Sequence, residues 1–285
     1  MDSSTESSLP NQDQETLTVL RPQEGWHVLH LFYQIDRSHW SLMSEEERRE
    51  AKTDFSRLVQ EIRATAETQL LTFSMVSPKA DLGLMLLTPD LHKLNEFEKQ
   101  LSISFGAETL QAAYSYLSLT ESSEYTTSRE DYTASLSAER GLAAGSPELE
   151  EALQDFDQRM KKYGQDRLYP HLPDWPVFCF YNMFKRRSAE DNWYALDFAT
   201  RKALMKGHAA VGRRWAGKIR QLITGSTGLD EAEWGVTLFA KDSFDVKAIV
   251  YEMRFDEVSA RYAEFGDFYI GIQLPLDQLF RRLAL

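Results

Sequence analysis

The sequence predicts an α+β fold made of two similar halves, whose sheets pair into one barrel of the dimeric α+β type. Two observations lead to this prediction. Short strand patterns alternate with helix patterns between residues 26 and 120, and the same order of elements recurs between residues 175 and 273. A chain of 285 residues, of which 42% are hydrophobic, is also long enough to give both halves a packed core.

The first half follows the ferredoxin-like order of strand, helix, strand, strand, helix and strand. We predict these elements, in that order, at residues 26–34, 44–66, 70–76, 82–88, 90–102 and 111–120. The first helix should begin at Ser44, because Glu47 lies three residues further on and completes a capping box. Residues 77–81 contain a proline and separate the two central strands as a turn.

The second half repeats this order without a residue-level repeat, so the prediction of a duplication depends on element order alone. Its elements are predicted at residues 175–185, 200–215, 217–223, 233–240, 242–255 and 268–273. We therefore expect two ferredoxin-like domains, at residues 24–125 and 167–285. A flexible tail of residues 1–23 precedes them, and a charged, partly helical insertion of residues 126–166 separates them. A helix within the insertion should begin at Ser146, with Pro147 in its first turn.

Charge is distributed unevenly along the chain. The net charge is −12, which argues against general binding to nucleic acids or to anionic membranes. Residues 161–220 nevertheless carry 13 Lys and Arg against five Asp and Glu. This local excess indicates an anionic ligand or partner, with a basic, solvated surface as the alternative. No apolar run approaches the roughly 20 residues that span a bilayer, and the N-terminus lacks a signal-peptide pattern, so we expect a cytoplasmic protein.

Several other motifs are weak. The single cysteine, Cys179, lies in an apolar run and is typical of a buried core residue. The segment from Gly212 to Lys218 has the spacing of a phosphate-binding loop, but Ile219 occupies the Ser/Thr position that would bind magnesium. His27 and His30 lie three apart on a strand, so they should point to opposite faces and cannot share a metal ion.

His208 is the strongest candidate for a metal ligand. On a helix it shares one face with Leu204, Val211 and Trp215, while Arg213 falls roughly opposite and should face away from any ligand of the histidine. The small residues on either side of His208 leave room for a flat, wide group, and a neutral histidine in such a place can be the axial ligand of a haem iron. A histidine that only completes the core is the alternative.

Two strands supply further candidates. Alternation places Cys179, Tyr181, Met183 and Lys185 on one face of the strand at residues 175–185. Tyrosine is well suited to carry a one-electron hole, and the lysine ammonium is a compact partner for a carboxylate. On the strand that begins at Gly217, Gln221 shares its face with Ile219 and Ile223, and Arg220 points the other way.

These segments resemble the coproheme decarboxylases of the chlorite dismutase superfamily. The resemblance is dense from residue 181 to residue 266 and looser in the first half. The segments that carry it are YNMFKRR from Tyr181, DNWY from Asp191, HAAVGR from His208, AGKIRQLITGS from Ala216, EWGVTLF from Glu233, EMRFDE from Glu252 and SARYAEFG from Ser259. Asn182 departs from the pattern, since many relatives have proline there, and Ala209-Ala210 replaces a more typical Gly-hydrophobe pair.

The resemblance implies site residues position by position. His208 would be the axial ligand of the haem iron. Tyr181 would be the catalytic tyrosine that carries a radical, and Lys185 would hold a reacting propionate. The residues that it assigns to substrate binding are Arg167, Asn182, Met183, Phe184, Lys185, Trp193, Gln221, Arg254 and Ser259, and Trp234 is implied as a further pocket tryptophan.

The implied reaction is the peroxide-dependent decarboxylation of two propionates of Fe-coproporphyrin III (coproheme), which is both substrate and redox centre, to give haem b. The implied assembly is a homopentamer, and coproporphyrin ferrochelatase is the implied donor of the substrate. Two alternatives are chlorite dismutase activity, which uses a distal arginine where Gln221 stands here, and a haem carrier without enzymatic activity. They differ in their products: oxygen from chlorite, or tight porphyrin binding without release of carbon dioxide.

Overall fold

The computed structural model describes residues 18–106 and 108–285, and every predicted strand and helix forms in it. The first half contains β1 (His27–Ile35), α1 (Arg37–Leu42), α2 (Glu45–Ala64), β2 (Gln69–Met75), β3 (Leu82–Thr88), α3 (Leu91–Ile103) and β4 (Leu110–Thr120). Two helices follow, α4 (Arg129–Arg140) and α5 (Pro147–Leu168). The second half contains β5 (Val177–Lys185), a 3₁₀ turn (Trp193–Ala195), α6 (Phe198–Arg214), β6 (Ile219–Gly225), β7 (Trp234–Ala240), α7 (Ser243–Met253), α8 (Glu257–Tyr262), β8 (Ala263–Phe265), β9 (Tyr269–Gln273) and α9 (Leu276–Leu283).

Local sequence signals set where several helices begin. The predicted capping box is confirmed: the Ser44 hydroxyl accepts from the backbone N–H of Glu47, and the Glu47 carboxylate accepts from the backbone N–H of Ser44. The predicted start of α5 is confirmed as well, with Ser146 as its N-cap and Pro147 in its first turn. Helices α1, α4, α8 and α9 and the short strand β8 were not predicted.

The two halves have the same sheet topology. In the first half the strands lie in the order β4-β1-β3-β2, and in the second half in the order β9-β5-β7-β6. Both are the ferredoxin-like arrangement, with antiparallel neighbours throughout. The pairings β4–β6 and β2–β9 join the two sheets edge to edge, so the strands close into one barrel as predicted.

The barrel separates three apolar layers. Its interior contains aromatic side chains from both halves, among them Phe32, Tyr116 and Phe180. Outside the first half, helices α2, α3 and α9 pack on the sheet around Phe55 and Leu279. Outside the second half, α6 and α7 cover the faces of β5–β7, and it is on this side that a large cavity opens.

The predicted insertion is a helical hairpin with a small core of its own, formed by Leu136, Leu149 and Leu153. Helix α5 continues to Leu168, so it crosses the boundary expected at residue 166. Of the expected tail, residues 18–23 include Leu20, whose carbonyl accepts from the backbone N–H of Leu91. The rest of the tail, residues 1–17, lies outside the described residues. No helix within the described ranges is long and apolar enough to cross a membrane.

Candidate functional site

A cavity of about 1470 Å³ lies between the outer face of the second half-sheet and the helices α5, α6 and α7. It exceeds the roughly 300–1,000 Å³ typical of small-molecule pockets, so it has room for a large ligand. Eight residues singled out from the sequence line it, namely Arg167, Tyr181, Met183, Lys185, His208, Gln221, Trp234 and Ser259. Residues from strands β5–β7 and helices α5, α6 and α8 therefore meet around one space.

Four other residues singled out from the sequence do not line this cavity. Asn182 and Phe184 lie on the opposite face of β5, where the Asn182 amide donates to Tyr114 and Glu231. Trp193 is buried just behind Lys185. Arg254 is exposed, and its guanidinium lies 4.7 Å from the ring centroid of Phe265, a lining residue.

His208 projects from α6 with one ring nitrogen already bonded. Its Nδ1 is 3.0 Å from Oδ2 of Asp256, which also accepts from the Ser259 hydroxyl at 2.8 Å. Burial opposes ionisation of Asp256, but the hydrogen bonds from His208 and Ser259 outweigh it and lower the pKa of this carboxyl. A carboxylate only accepts, so Nδ1 donates, and the lone pair of Nε2 stays available to a metal.

Tyr181 lies on β5 in a pocket of non-oxidisable rings. Its ring stacks on Phe268 at a centroid distance of 4.5 Å and on Phe265 at 5.6 Å. Burial raises the pKa of its phenol strongly, with a small opposing effect from Arg254. The hydroxyl therefore stays protonated at neutral pH, and this side chain can only be oxidised by losing an electron and a proton together.

Lys185 lies at the end of β5 among aromatic rings. Its Nζ is 4.0 Å from the ring centroid of Trp234 and 5.5 Å from those of Trp193 and Tyr194. Burial lowers the pKa of its ammonium, and nearby carboxylates, including Glu233, partly offset this. Within the described ranges Lys185 forms no ion pair at contact distance, so its ammonium is available to an anion that enters the cavity.

Strand β6 presents Ile219, Gln221 and Ile223 to the cavity, as the alternation predicts. Arg220 is not among the residues that line it. The Gln221 amide lies next to α6, with Oε1 3.8 Å from the position that a Cβ on Gly212 would occupy. Strand β6 therefore turns the Gln221 amide toward the cavity, and not the neighbouring guanidinium of Arg220.

One expectation from helix periodicity was wrong. Arg213 was expected to face away from the ligand of His208, but it lines the same cavity. The face of α6 that borders the cavity also includes Ala209 and Gly212, so it is wider than a narrow apolar stripe. Arg213 follows Ala209 by four residues, so the two share a helix face and both border the cavity.

The sequence reasoning missed the site residues Arg159, Glu121, Glu233 and Asp256. Asp256 lies inside the quoted segment EMRFDE, but its 48-residue separation from His208 gives no sign of contact. Glu233 is buried, and its carboxylate accepts from the backbone N–H of Lys185 and from the hydroxyl of Tyr194. Burial raises the pKa of Glu121 despite nearby Arg167 and Lys185.

Comparison with known proteins places the chain among haem-related structures. A family model described as chlorite dismutase matches residues 48–274. A solved structure described as a novel haem-binding protein from Thermus thermophilus is 39% identical, covers 92% of this chain and 96% of its own, and has a TM-score of 0.76. Two chlorite dismutase structures from Candidatus Nitrospira defluvii share the fold at 17% identity. The first, a mutant, has a TM-score of 0.69 with coverage of 93% and 98%, and the second, in complex with imidazole, has 0.68 with 93% and 97%.

Proposed function

The chain belongs to the chlorite dismutase family, and from this premise we propose that it is a coproheme decarboxylase. The observation that carries the proposal is the juxtaposition of His208, Tyr181 and Lys185 around one large cavity. These are an available metal ligand, a protonated phenol and an unpaired cation. A haem carrier needs only the metal ligand. An enzyme that acts on a propionate of the porphyrin also gives roles to the phenol and to the cation.

The residues present fit an iron porphyrin. His208 would hold the iron through Nε2, because Asp256 fixes Nδ1 as the donor on the other side of the ring. Gly212 and Ala209 leave space beside the histidine, and Val236, Leu238 and Met253 give the cavity apolar walls. The cations that line it, Arg167 and Lys185 among them, suit the propionate carboxylates.

In the proposed reaction the bound iron, with hydrogen peroxide, supplies the oxidising chemistry. The residues of the chain determine which bond of the substrate is oxidised. Tyr181, freed of its phenolic hydrogen, would take a hydrogen atom from the β-carbon of a propionate whose carboxylate Lys185 holds in place. Trp193, Trp234 and Tyr194 keep the Lys185 ammonium at the cavity wall.

Each round of the reaction removes two electrons from one propionate. The bond between its α-carbon and carboxyl carbon breaks, carbon dioxide leaves, and a vinyl group and one proton are formed. Hydrogen peroxide takes up the two electrons and two protons and becomes two molecules of water. Two rounds convert coproheme into haem b.

The test is mass spectrometry of the porphyrin after ferric coproporphyrin III and then hydrogen peroxide are added to the purified protein. We expect a three-propionate intermediate followed by haem b. Coproheme that is bound but unchanged would overturn the proposal in favour of a haem carrier. Oxygen release from chlorite would support the other alternative, which Gln221 in place of a distal arginine argues against.

Tyr181→Phe provides a sharper test of the radical step. The variant keeps the ring stack on Phe268 and removes only the hydroxyl, so it should bind coproheme normally. We expect the rate of decarboxylation to fall by about 10²-fold or more, at least the loss that is typical when a proton-transferring side chain is removed. Tyr251→Phe, on an exposed face of α7 outside the cavity, is the matched control and should convert coproheme normally.

The remaining elements of this proposal depend on the resemblance to coproheme decarboxylases. They are the binding roles of Asn182, Phe184, Trp193, Arg254 and Ser259, assembly as a homopentamer, a cytoplasmic location and delivery of substrate by coproporphyrin ferrochelatase. Ser259 and Asn182 already have partners within the fold, Asp256 for the first and Tyr114 and Glu231 for the second. A binding role for either would have to compete with these hydrogen bonds.

A further inference from the structure

Helix α5 forms one wall of the cavity although it belongs to the insertion between the two halves. The residues that it turns toward the cavity recur every three or four positions, as one helix face requires: Phe156, Arg159, Met160, Tyr163 and Arg167. Tyr132 of α4 lines the cavity next to them. The insertion is therefore part of the cavity wall.

Two arginines on this face of α5 differ in how far they are buried. Arg167 is half-buried, and its Nε donates to the backbone carbonyl of Glu121 at 3.1 Å. Arg159 lies eight residues earlier and is exposed at the outer end of the cavity. At 1.5 Å per residue the two side chains start about 12 Å apart along the helix axis.

Within the residues that the structure describes, Arg159 has no acidic partner, whereas two cations near it do. Arg129 pairs with Asp157 and Glu150, and Lys202 of α6 pairs with Asp131. Within residues 18–106 and 108–285, neither Arg159 nor Arg167 forms an ion pair. Arg159 and Arg167 are therefore available to bind an anion, although the protein as a whole is acidic.

Aromatic contacts hold Arg159 in place. Its Nη2 donates to the hydroxyl of Tyr132 at 3.3 Å, and its guanidinium carbon lies 5.9 Å from the centroid of that ring. Tyr132 in turn stacks on Phe156 at 4.3 Å, with the planes 12° apart. A guanidinium supported in this way needs less ordering when it binds an anion than a free surface arginine does.

We propose that Arg159 binds a carboxylate of the anionic ligand at the outer end of the cavity. Helix α5 would then contact the ligand twice, through Arg167 inside and Arg159 outside. Glu121 lies near both Arg167 and Lys185, so Lys185 is at the Arg167 end of α5. Arg159 lies about 12 Å further along the helix, so the carboxylate at Arg159 is one that the reaction leaves in place. The inference rests on the proposed function for the identity of the ligand as a polycarboxylate porphyrin.

The test is a titration of the full-length protein with ferric coproporphyrin III, followed by absorbance. Arg159→Gln should raise the Kd about three- to tenfold, between the effects typical of exposed and of charge-assisted pairs. Arg159→Lys should recover part of this loss, because it restores the charge without the fork of the guanidinium. Arg140→Gln, an exposed arginine on the same hairpin but outside the cavity, should bind like the wild type.

The tetramethyl ester of the same porphyrin separates charge from packing. It has the macrocycle and iron but no carboxylate, so the wild type and Arg159→Gln should bind it equally. Equal affinity of these two proteins for ferric coproporphyrin III itself would overturn the role of Arg159. Weaker binding of the ester by the variant would also overturn it, since the loss would then come from packing.

The same samples distinguish this inference from the proposed function. If peroxide converts coproheme on the wild type while Arg159→Gln binds it normally, the decarboxylase proposal holds and the role of Arg159 fails. If the variant binds it more weakly but the wild type releases no carbon dioxide, the role of Arg159 holds and the decarboxylase proposal fails. If the wild type does not bind coproheme, both fail.

Discussion

At the scale of single residues, Asp256 takes part in two structures at once. Its Oδ1 caps α8 by accepting from the backbone N–H groups of Val258 and Ser259, at 3.1 and 3.3 Å. Its Oδ2 accepts from His208. The cap holds the carboxylate rigidly behind the imidazole, so the orientation of the proposed iron ligand depends on the first turn of α8.

Asp256→Asn separates these two contributions. Asparagine is as good an N-cap as aspartate, so α8 should remain intact, but the charge behind His208 is lost. We expect the affinity for ferric coproporphyrin III to fall by about 10- to 100-fold, as is typical when the partner of a metal-binding histidine is removed. The measurement is a binding titration.

The control for this prediction is metal-free coproporphyrin III, which has the same carboxylates and no iron. Its affinity should be the same for Asp256→Asn and the wild type. An equal loss for both porphyrins would show that the substitution disturbs the cavity and that Asp256 does not act through His208.

Part of the site could be predicted from the two-residue period of a β-strand. Alternation on β5 predicts that Tyr181, Met183 and Lys185 share a face, and the structure places all three at the cavity. Asn182 and Phe184 lie on the other face for the same reason. Asp256 could not be predicted, because its contact with His208 depends on how α8 packs against α6.

At the scale of elements, Thr120 joins three segments at the end of β4. Its hydroxyl accepts from the backbone N–H of Trp26 at 2.7 Å and donates to the carbonyl of Leu168 at 2.7 Å. These bonds tie the start of β1 and the end of α5 to the first half-sheet. This hydroxyl therefore helps to anchor the C-terminal end of the hairpin, next to the hydrogen bond from Arg167 to the Glu121 carbonyl.

Thr120→Val keeps the shape of the side chain and removes both hydrogen bonds. We expect the free energy of unfolding to fall by about 2 kcal/mol or more, because a buried N–H and a carbonyl lose their partner. Residues near Leu168 should also become more sensitive to limited proteolysis. Urea denaturation and proteolysis measure the two effects.

Thr120→Ser is the matched control, since it retains the hydroxyl and loses only a methyl group. It should keep most of the stability and the wild-type cleavage pattern. If Thr120→Val were as stable as Thr120→Ser, the hydroxyl would have no part in anchoring α5.

Element boundaries were predictable where a local signal sets them, as Ser44 and Glu47 do for α2. Helix α9 was missed although Leu276, Leu279 and Leu283 recur at helical spacing. Its role could not have been predicted from that spacing, because α9 belongs to the second half in sequence but packs into the core of the first. Only the closed barrel brings the end of the chain to this position.

At the scale of the whole molecule, His30 links the two halves inside the barrel. It lies on β1, and its Nε2 is 2.9 Å from the hydroxyl of Thr237 on β7. Its ring is fully buried and stacks on Phe180 at 4.0 Å, and Nδ1 has no hydrogen-bond partner among the described residues. Burial lowers the pKa of His30 to about 3.

This shift makes the stability of the barrel depend on pH. Folded His30 stays neutral until the pH approaches 3, whereas the unfolded chain takes up the proton below about pH 6.5. The unfolded state therefore binds more protons, and stability that is complete above pH 6.5 is lost as the pH falls. This one group contributes a slope of about 1.4 kcal/mol per pH unit and, in total, roughly 5 kcal/mol.

His30→Gln removes the titrating group and keeps an amide near Thr237. Between pH 6 and 4.5 the free energy of unfolding of the wild type should fall more steeply than that of the variant, by about 1.4 kcal/mol per pH unit. Urea denaturation at several pH values measures this difference. His171→Gln, at an exposed histidine, should retain the wild-type slope. Parallel curves for the wild type and His30→Gln would show that His30 does not control the acid sensitivity.

The sequence by itself determined the order of elements, the duplicated ferredoxin-like topology and the faces of β5 and β6, because these depend on periods of two and 3.6 residues and on local caps. The tertiary structure alone decided which surfaces meet: Asp256 behind His208, α9 on the first half, and the insertion as a wall of the cavity. These contacts join residues that are far apart in the chain. They depend on the closure of the barrel and on how the helices pack against it, which no local pattern encodes.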